Sequence, residues 1–506
     1  MSPGLSVAAV SAVCLATLAI GAYGLRLSRT TSDFYVASRV VTPGWNASAI
    51  GGEYLSAASF LGIAGLVLVS GVDMLWFPVG YTAGYLLLLV LVAAPLRRSG
   101  AYTLPDFAEA RLESRTTRRV AAVLVVAIGW LYLLPQFVGA GLTLQIATGA
   151  PRWAGAAVVG VVVLASVLAG GMRSITFVQA FQYWLKLTAI AVPVVFLLAA
   201  WRSDGAPLPD DPAWITPLNA FEHPLYSTYS LILALFFGTM GLPHVLVRFY
   251  TNPDGAAARR TTLIVLALLG AFYLFPTVYG ALGKVYAGDL VTEGRADAVV
   301  LELPGRMIGG TGGQLLAALL VAGAFAAFLS TSSGLAVSVA GVLSQDLLGE
   351  GARAAGNVRH RGVRAFRGAT VLAVIVPFSL SLLGQRLAVA DVVGLAFAVA
   401  ASSFCPLLVL GIWWRRLTPA GAVAGLLAGG GLAGFAVVIT LVTGRGEGWT
   451  GALLAQPAAW TVPVAFLVMI VVSLRTPHGV PPGVARTMVA LHAPESLGLT
   501  SVHRGR

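Results

Sequence analysis

A succession of about thirteen apolar stretches, each roughly 20 residues long and poor in charge, limits this chain more than any other feature. Each matches the helix length that crosses a bilayer core about 30 Å thick. They fall near 4–25, 45–70, 74–96, 120–148, 153–169, 174–201, 228–246, 262–287, 314–343, 369–383, 392–414, 420–442 and 461–474. The expected fold is therefore all-α and polytopic, embedded in a lipid bilayer with short connections. With 58% of residues hydrophobic and only 10% charged, no large extramembrane catalytic domain is expected. The two cysteines, Cys14 and Cys405, both lie in apolar stretches and make neither a disulfide framework nor a metal cluster.

A net charge of +12 in a soluble chain would suggest nucleic acid as a partner. Threading the spans puts 24 of the 32 basic residues in loops on one side, among them Arg97, Arg98, Arg111, Arg248 and Arg475. That bias is the positive-inside pattern, so the charge sets orientation and no nucleic acid is expected. The N-terminus is expected outside a cell membrane and the C-terminus in the cytoplasm. No basic residue precedes the first stretch, which reads as a retained helix rather than a signal peptide. The chain divides into an extra N-terminal helix and loop (1–44), a transport core (45–414), two peripheral helices (415–475) and a tail (476–506) expected to lack order.

Two spans carry interruptions that a lipid-facing helix does not tolerate. The second reads Gly51-Gly52-Glu53-Tyr54-Leu55-Ser56-Ala57-Ala58-Ser59-Phe60, and the seventh reads Gly238-Thr239-Met240-Gly241-Leu242-Pro243-His244. Unpaired backbone groups in hydrocarbon cost several kcal/mol each, so helices break there only where the freed carbonyls meet protein, water or an ion. The two breaks lie five spans apart, the spacing of a five-plus-five inverted repeat. In the ninth span, Ala327, Ser330 and Thr331 stand at i, i+3 and i+4 on one helix face. Such oxygens suit a loosely held hard cation, and equally a small-residue face that lets helices pack closely. No HExxH, GxSxG or Cys/His cluster accompanies them, so no enzyme is expected, and Gly309-Gly310-Thr311-Gly312-Gly313 lacks the strand and lysine of a phosphate loop.

Together these segments resemble the sodium:solute symporter family over roughly 32–414. Gly238-x-x-Gly241-x-Pro243-His244-x-x-x-Arg248-Phe249 is similar to the family signature. Ala327-x-x-Ser330-Thr331 is similar to its sodium-binding helix, and Gly170-Gly171-Met172 to a further typical segment. The resemblance implies a broken-helix, amino-acid-transporter-like fold and Na+ as the coupling ion. Its site would fall on the carbonyls of Gly52, Leu55 and Ala327 and the hydroxyls of Ser330 and Thr331. Gln179 stands where the family often has an acid near the sodium exit, and Ala58 and Ser59 stand where its sugar carriers are more polar. Within the family the two broken segments look most like those of acetate and short-monocarboxylate carriers. The implied function is secondary active uptake of a small monocarboxylate such as acetate, propionate or pyruvate. The alternatives are another small solute such as an amino acid, or coupling to protons, and room remains for a small membrane partner protein.

The expected substrate-binding residues are Glu53, Ser56, Ser59, Phe60, Thr239, Met240 and Lys186, with Phe236 as a further wall. Glu53 is read as a functional acid or as a carboxyl capping free backbone. Lys186, near mid-span, is read as attracting a carboxylate or as bracing the bundle. His244 is read as a proton relay or as bonding a backbone carbonyl, and Arg248 as an anchor at the inner interface.

Overall fold

The computed structural model describes residues 2–25, 41–347, 358–383 and 388–497, although the side chains of 169–173, and with them Gly170-Gly171-Met172, lie outside that description. Helix accounts for nearly all of it, and no strand occurs among the described residues. Among the described residues, nine helices are long and apolar enough to cross a bilayer, or ten if the bent pair Pro224–Gly241 and Pro243–Phe249 is one span. The difference from thirteen has identifiable sources. Half of 45–70 continues into 74–96 as the apolar run Ala58–Arg98, turned at Gly71, where φ is +65°. The spans expected at 153–169 and 369–383 correspond to the shorter apolar helices Arg152–Leu168 and Ala365–Ser381.

Both expected breaks are present. The first broken helix runs Pro43–Tyr54, leaves helical geometry at Leu55 (φ −73°, ψ 89°) and resumes through Ala58–Gly62 and Ile63–Ser70. The second runs Pro224–Gly241 and Pro243–Phe249, with a 43° bend at Leu242. Proline at the first position of the second segment lacks the donor that the interrupted turn would have left unpaired. Around these two pieces pack Gly310–Val342, here called the hydroxyl helix, and Ser174–Ser203, the lysine helix. Nearly every residue of the hydroxyl helix from Val321 onward is buried, as befits a helix without a lipid face.

The loops seal both ends. On the side rich in arginine, Arg111 donates from Nε to Gly411 O (2.7 Å) and from Nη2 to Trp414 O (3.0 Å), capping the C-terminus of helix Val389–Trp413. At the other end, the Asp73 carboxylate accepts from the backbone N–H groups of Leu218, Asn219 and Ala220 at 2.6 to 2.7 Å. The described part of the tail, as far as Leu497, contains helix where a lack of order was expected. Helix Val484–His492 buries Met488 and Leu491, and Glu495 pairs with Arg98 at 3.2 Å while accepting from Gly255 N at 2.7 Å.

Candidate transport site

Every carbonyl freed by the first break that the sequence singled out has a side-chain partner. Lys186 Nζ donates to Gly52 O at 2.6 Å and to Leu55 O at 2.7 Å, and Thr331 Oγ1 donates to Glu53 O at 2.6 Å. Ala57 N donates to Gln136 Oε1 at 3.0 Å. The break is thus held by the lysine helix on one side and the hydroxyl helix on the other, which answers the demand that buried backbone groups be paired. Gly52 has to be glycine, because a methyl group there would overlap the carbonyl oxygen of Gln179 on the lysine helix.

The ammonium of Lys186 has a third partner, Ser330 Oγ at 2.9 Å. Three donors therefore meet three oxygens of the set expected to hold Na+. Of the remaining two, Ala327 O accepts from Ser330 Oγ at 3.0 Å and Thr331 Oγ1 is bonded across the break. The structure thus brings Gly52, Leu55 and Ser330 together around the Lys186 ammonium, with Ala327 bonded to Ser330 and Thr331 bonded across the break, and the cation it sets there is the lysine's own. Neutral carbonyl and hydroxyl oxygens remain a donor set suited to a small monovalent cation.

Glu53 does not face the break as a substrate ligand. Its carboxylate accepts from Arg248 Nε at 2.7 Å, with both side chains at most 2% exposed. Arg248 is correspondingly a buried partner rather than an interfacial anchor. It also donates to Thr176 Oγ1 at 2.9 Å and to Gln179 Oε1, and Gln179 Nε2 donates to Ser330 O at 2.8 Å. One polar network therefore joins the two broken helices, the lysine helix and the hydroxyl helix. Gly334 admits it, since a methyl group there would overlap the Glu53 carboxylate.

The other expected residues separate into two groups. Phe60 turns away from the break, against Phe272 (ring centroids 6.3 Å apart) and Gly323. Ser59 Oγ lies 3.0 Å from Tyr273 OH, Thr239 Oγ1 lies 2.8 Å from Tyr54 OH, and Met240 is buried beside it. Ser56 Oγ is buried with no hydrogen-bond partner. His244 makes no bond to a backbone carbonyl. It stacks on Tyr132 at 5.2 Å, and neither ring nitrogen has a partner.

What the sequence did not reveal is the aromatic cage beside the break. Tyr54 meets Tyr85 at 4.9 Å and Tyr81 at 5.8 Å, Tyr81 meets Phe397 at 4.9 Å, and Phe397 meets Tyr132 at 5.9 Å. The hydroxyls of Tyr81 and Tyr85 are buried without partners. Spacing at i and i+4 inside an aliphatic span was the available signal, since membrane tyrosines ordinarily sit at the interfaces.

This geometry has relatives. The model of the sodium:solute symporter family matches residues 34–429. The chain belongs to the sodium:solute symporter family. It is a multi-pass membrane carrier, and Na+ is the coupling ion of its family. A Bacillus subtilis protein described as the uncharacterized symporter YwcA is 33% identical over 471 residues, covering 89% of this chain and 90% of its own. The Corynebacterium glutamicum monocarboxylic acid transporter is 32% identical over 483 residues, covering 88% and 87%. In fold, the chain is similar to a Na+-coupled sialic acid symporter solved in a substrate-bound outward-open state, with a TM-score of 0.70, 14% identity, and coverage of 92% of this chain and 98% of that one.

Proposed function

We propose that this symporter carries a small monocarboxylate such as acetate, propionate or pyruvate into the cell together with Na+, with its arginine-rich face and C-terminus in the cytoplasm. The observation that carries the reading is the set of buried, unpartnered groups beside the break: Ser56 Oγ, Tyr81 OH, Tyr85 OH and the His244 ring. Buried polar atoms without partners are uncommon, and hydroxyls left unpaired among aromatic rings are suited to donate to a carboxylate. The charge count agrees, because Glu53 offsets Arg248 and leaves Lys186 as a surplus positive charge close by. An amino acid would need an acceptor for its ammonium, and Glu53, the acid of the first broken helix, is committed to Arg248. The relationship to a monocarboxylic acid transporter points the same way.

The test is uptake of labelled acetate, propionate, pyruvate, proline and glucose into proteoliposomes under an inward Na+ gradient. Saturable uptake of a monocarboxylate, inhibited by the other acids, is expected. Uptake of proline or glucose without any of the acids would overturn the reading.

A further inference from the structure

We propose that Lys186 is a tethered competitor for the coupling cation: its ammonium holds the site in the arrangement seen here, and Na+ reaches those oxygens only when the side chain leaves. The inference rests on reading these oxygens as the cation site of a symporter, but not on which acid is carried.

Four observations support it. The ammonium lies 2.6, 2.7 and 2.9 Å from Gly52 O, Leu55 O and Ser330 Oγ, three of the five oxygens of the site, and so has no unused donor. A second cation among the same oxygens would meet a full like charge at contact distance in a water-poor interior, where such repulsion is poorly screened. The lysine is fully buried, and Glu53, the acid that would ordinarily pair with it, is bonded to Arg248 at 2.7 Å. Its charge is therefore met by neutral oxygens, as a bound monovalent ion's would be. Finally, the tether crosses between helices: the stem belongs to the lysine helix, while its acceptors sit on the first broken helix and the hydroxyl helix.

The arrangement supplies what a symporter needs in its unloaded state. With Na+ absent, the freed carbonyls of the break must still be paired if the helices are to stay packed. Lys186 pairs them, so the empty carrier stays closed around the break. Binding of Na+ expels the ammonium and removes the Lys186 tether between the lysine helix and its two neighbours, which links occupancy of the site to helix movement.

The experiment is 22Na+ binding to the purified full-length chain in detergent, without any organic solute, for wild type, Lys186→Met, Lys186→Gln and Lys186→Arg. The two neutral variants are expected to bind Na+ at least about ten-fold more tightly than wild type, and Lys186→Arg to bind weakly. Their thermal midpoints should rise with Na+ at concentrations that leave wild type unchanged, with K+ as the ionic-strength control. Unchanged or weakened Na+ binding in both neutral variants would overturn the proposal. If those variants do not fold, hydrogen exchange on the wild type decides it. Amides of 50–57 and 327–333 should already exchange slowly in Na+-free K+ buffer and change little on adding Na+. Strong slowing by millimolar Na+ would mean that the site stands open until the ion arrives, and would reject the competitor role. Because no carried solute is present, a wrong substrate class leaves these results intact, and a failed Na+ ordering leaves the uptake reading intact.

Discussion

Ser56 and Glu53 sit three residues apart on the first broken helix and have opposite fates. The Ser56 hydroxyl is buried beside Tyr132 without a formed hydrogen bond, whereas the Glu53 carboxylate is bonded to Arg248 at 2.7 Å. A hydrogen bond to a charged group contributes about 1.5 to 3 kcal/mol. Ser56→Ala and Tyr85→Phe are therefore each expected to raise the half-saturating concentration of the carried acid about ten-fold or more, with little change in thermal stability. Concentration-dependent uptake checks this, and unaltered kinetics in both would remove these hydroxyls from the site. Glu53→Gln should act differently, because it leaves the Arg248 charge buried without its counter-charge, a loss of about 3 to 5 kcal/mol. A marked fall in thermal midpoint is expected, and the double variant Glu53→Gln with Arg248→Met should recover much of it. Additive losses in that cycle would show that the two side chains do not act as a pair.

At the scale of elements, the short helix Ala296–Ala298 buries Asp297 against the start of helix Val389–Trp413. Its Oδ2 accepts from Val389 N at 3.2 Å. Burial pushes the Asp297 carboxyl up to about 6, opposed by the Val389 bond and reinforced by the charge of Asp391, which itself pairs with Arg445 at 2.5 Å. A raised acid pKa means that the packed state binds the proton more tightly than the unfolded chain does. The cost of ionising Asp297, roughly 2 to 3 kcal/mol, is present above pH 6 and disappears as the pH falls to about 4. Stability should therefore increase between pH 6 and pH 4. Asp297→Asn should flatten that part of the profile and raise the thermal midpoint at pH 7, as differential scanning fluorimetry across this range would register. An unchanged profile in the variant would assign the pH response to other groups.

For the whole molecule, the decisive quantity is the charge that crosses the membrane in a cycle. Moving one elementary charge through 100 mV is worth about 2.3 kcal/mol, but one Na+ accompanied by one monoanion moves none. If the cycle is one to one, and Lys186 stays attached to the carrier throughout, a K+ diffusion potential set by valinomycin should leave initial uptake rates unchanged at a fixed Na+ gradient. Rates that rise with an inside-negative potential would require a second cation per cycle. The tail belongs to this scale as well, because Glu495 ties it to both Arg98 and Gly255 and so joins the end of the chain to two separate parts of the core.

The apolar stretches, the presence of a break within 51–60 and another within 238–244, and the face formed by Ala327, Ser330 and Thr331 could be read from the chain alone, because lipid imposes length, charge and backbone-pairing rules that act locally; that the first break falls at Leu55, with Gly52 still helical, could not. The span count was less secure: a turn at Gly71 and two short helices change it without altering the composition. The aromatic cage was hidden because Tyr54, Tyr85, Tyr132 and Phe397 come from four separate stretches, and a tyrosine in an apolar run carries no mark of what it faces. Lys186 shows the limit most directly. Its place in mid-span was evident, and so were the oxygens of Gly52, Leu55 and Ser330. That the one side chain ends among the others depends on how three helices far apart in sequence lie against each other, which no local pattern encodes.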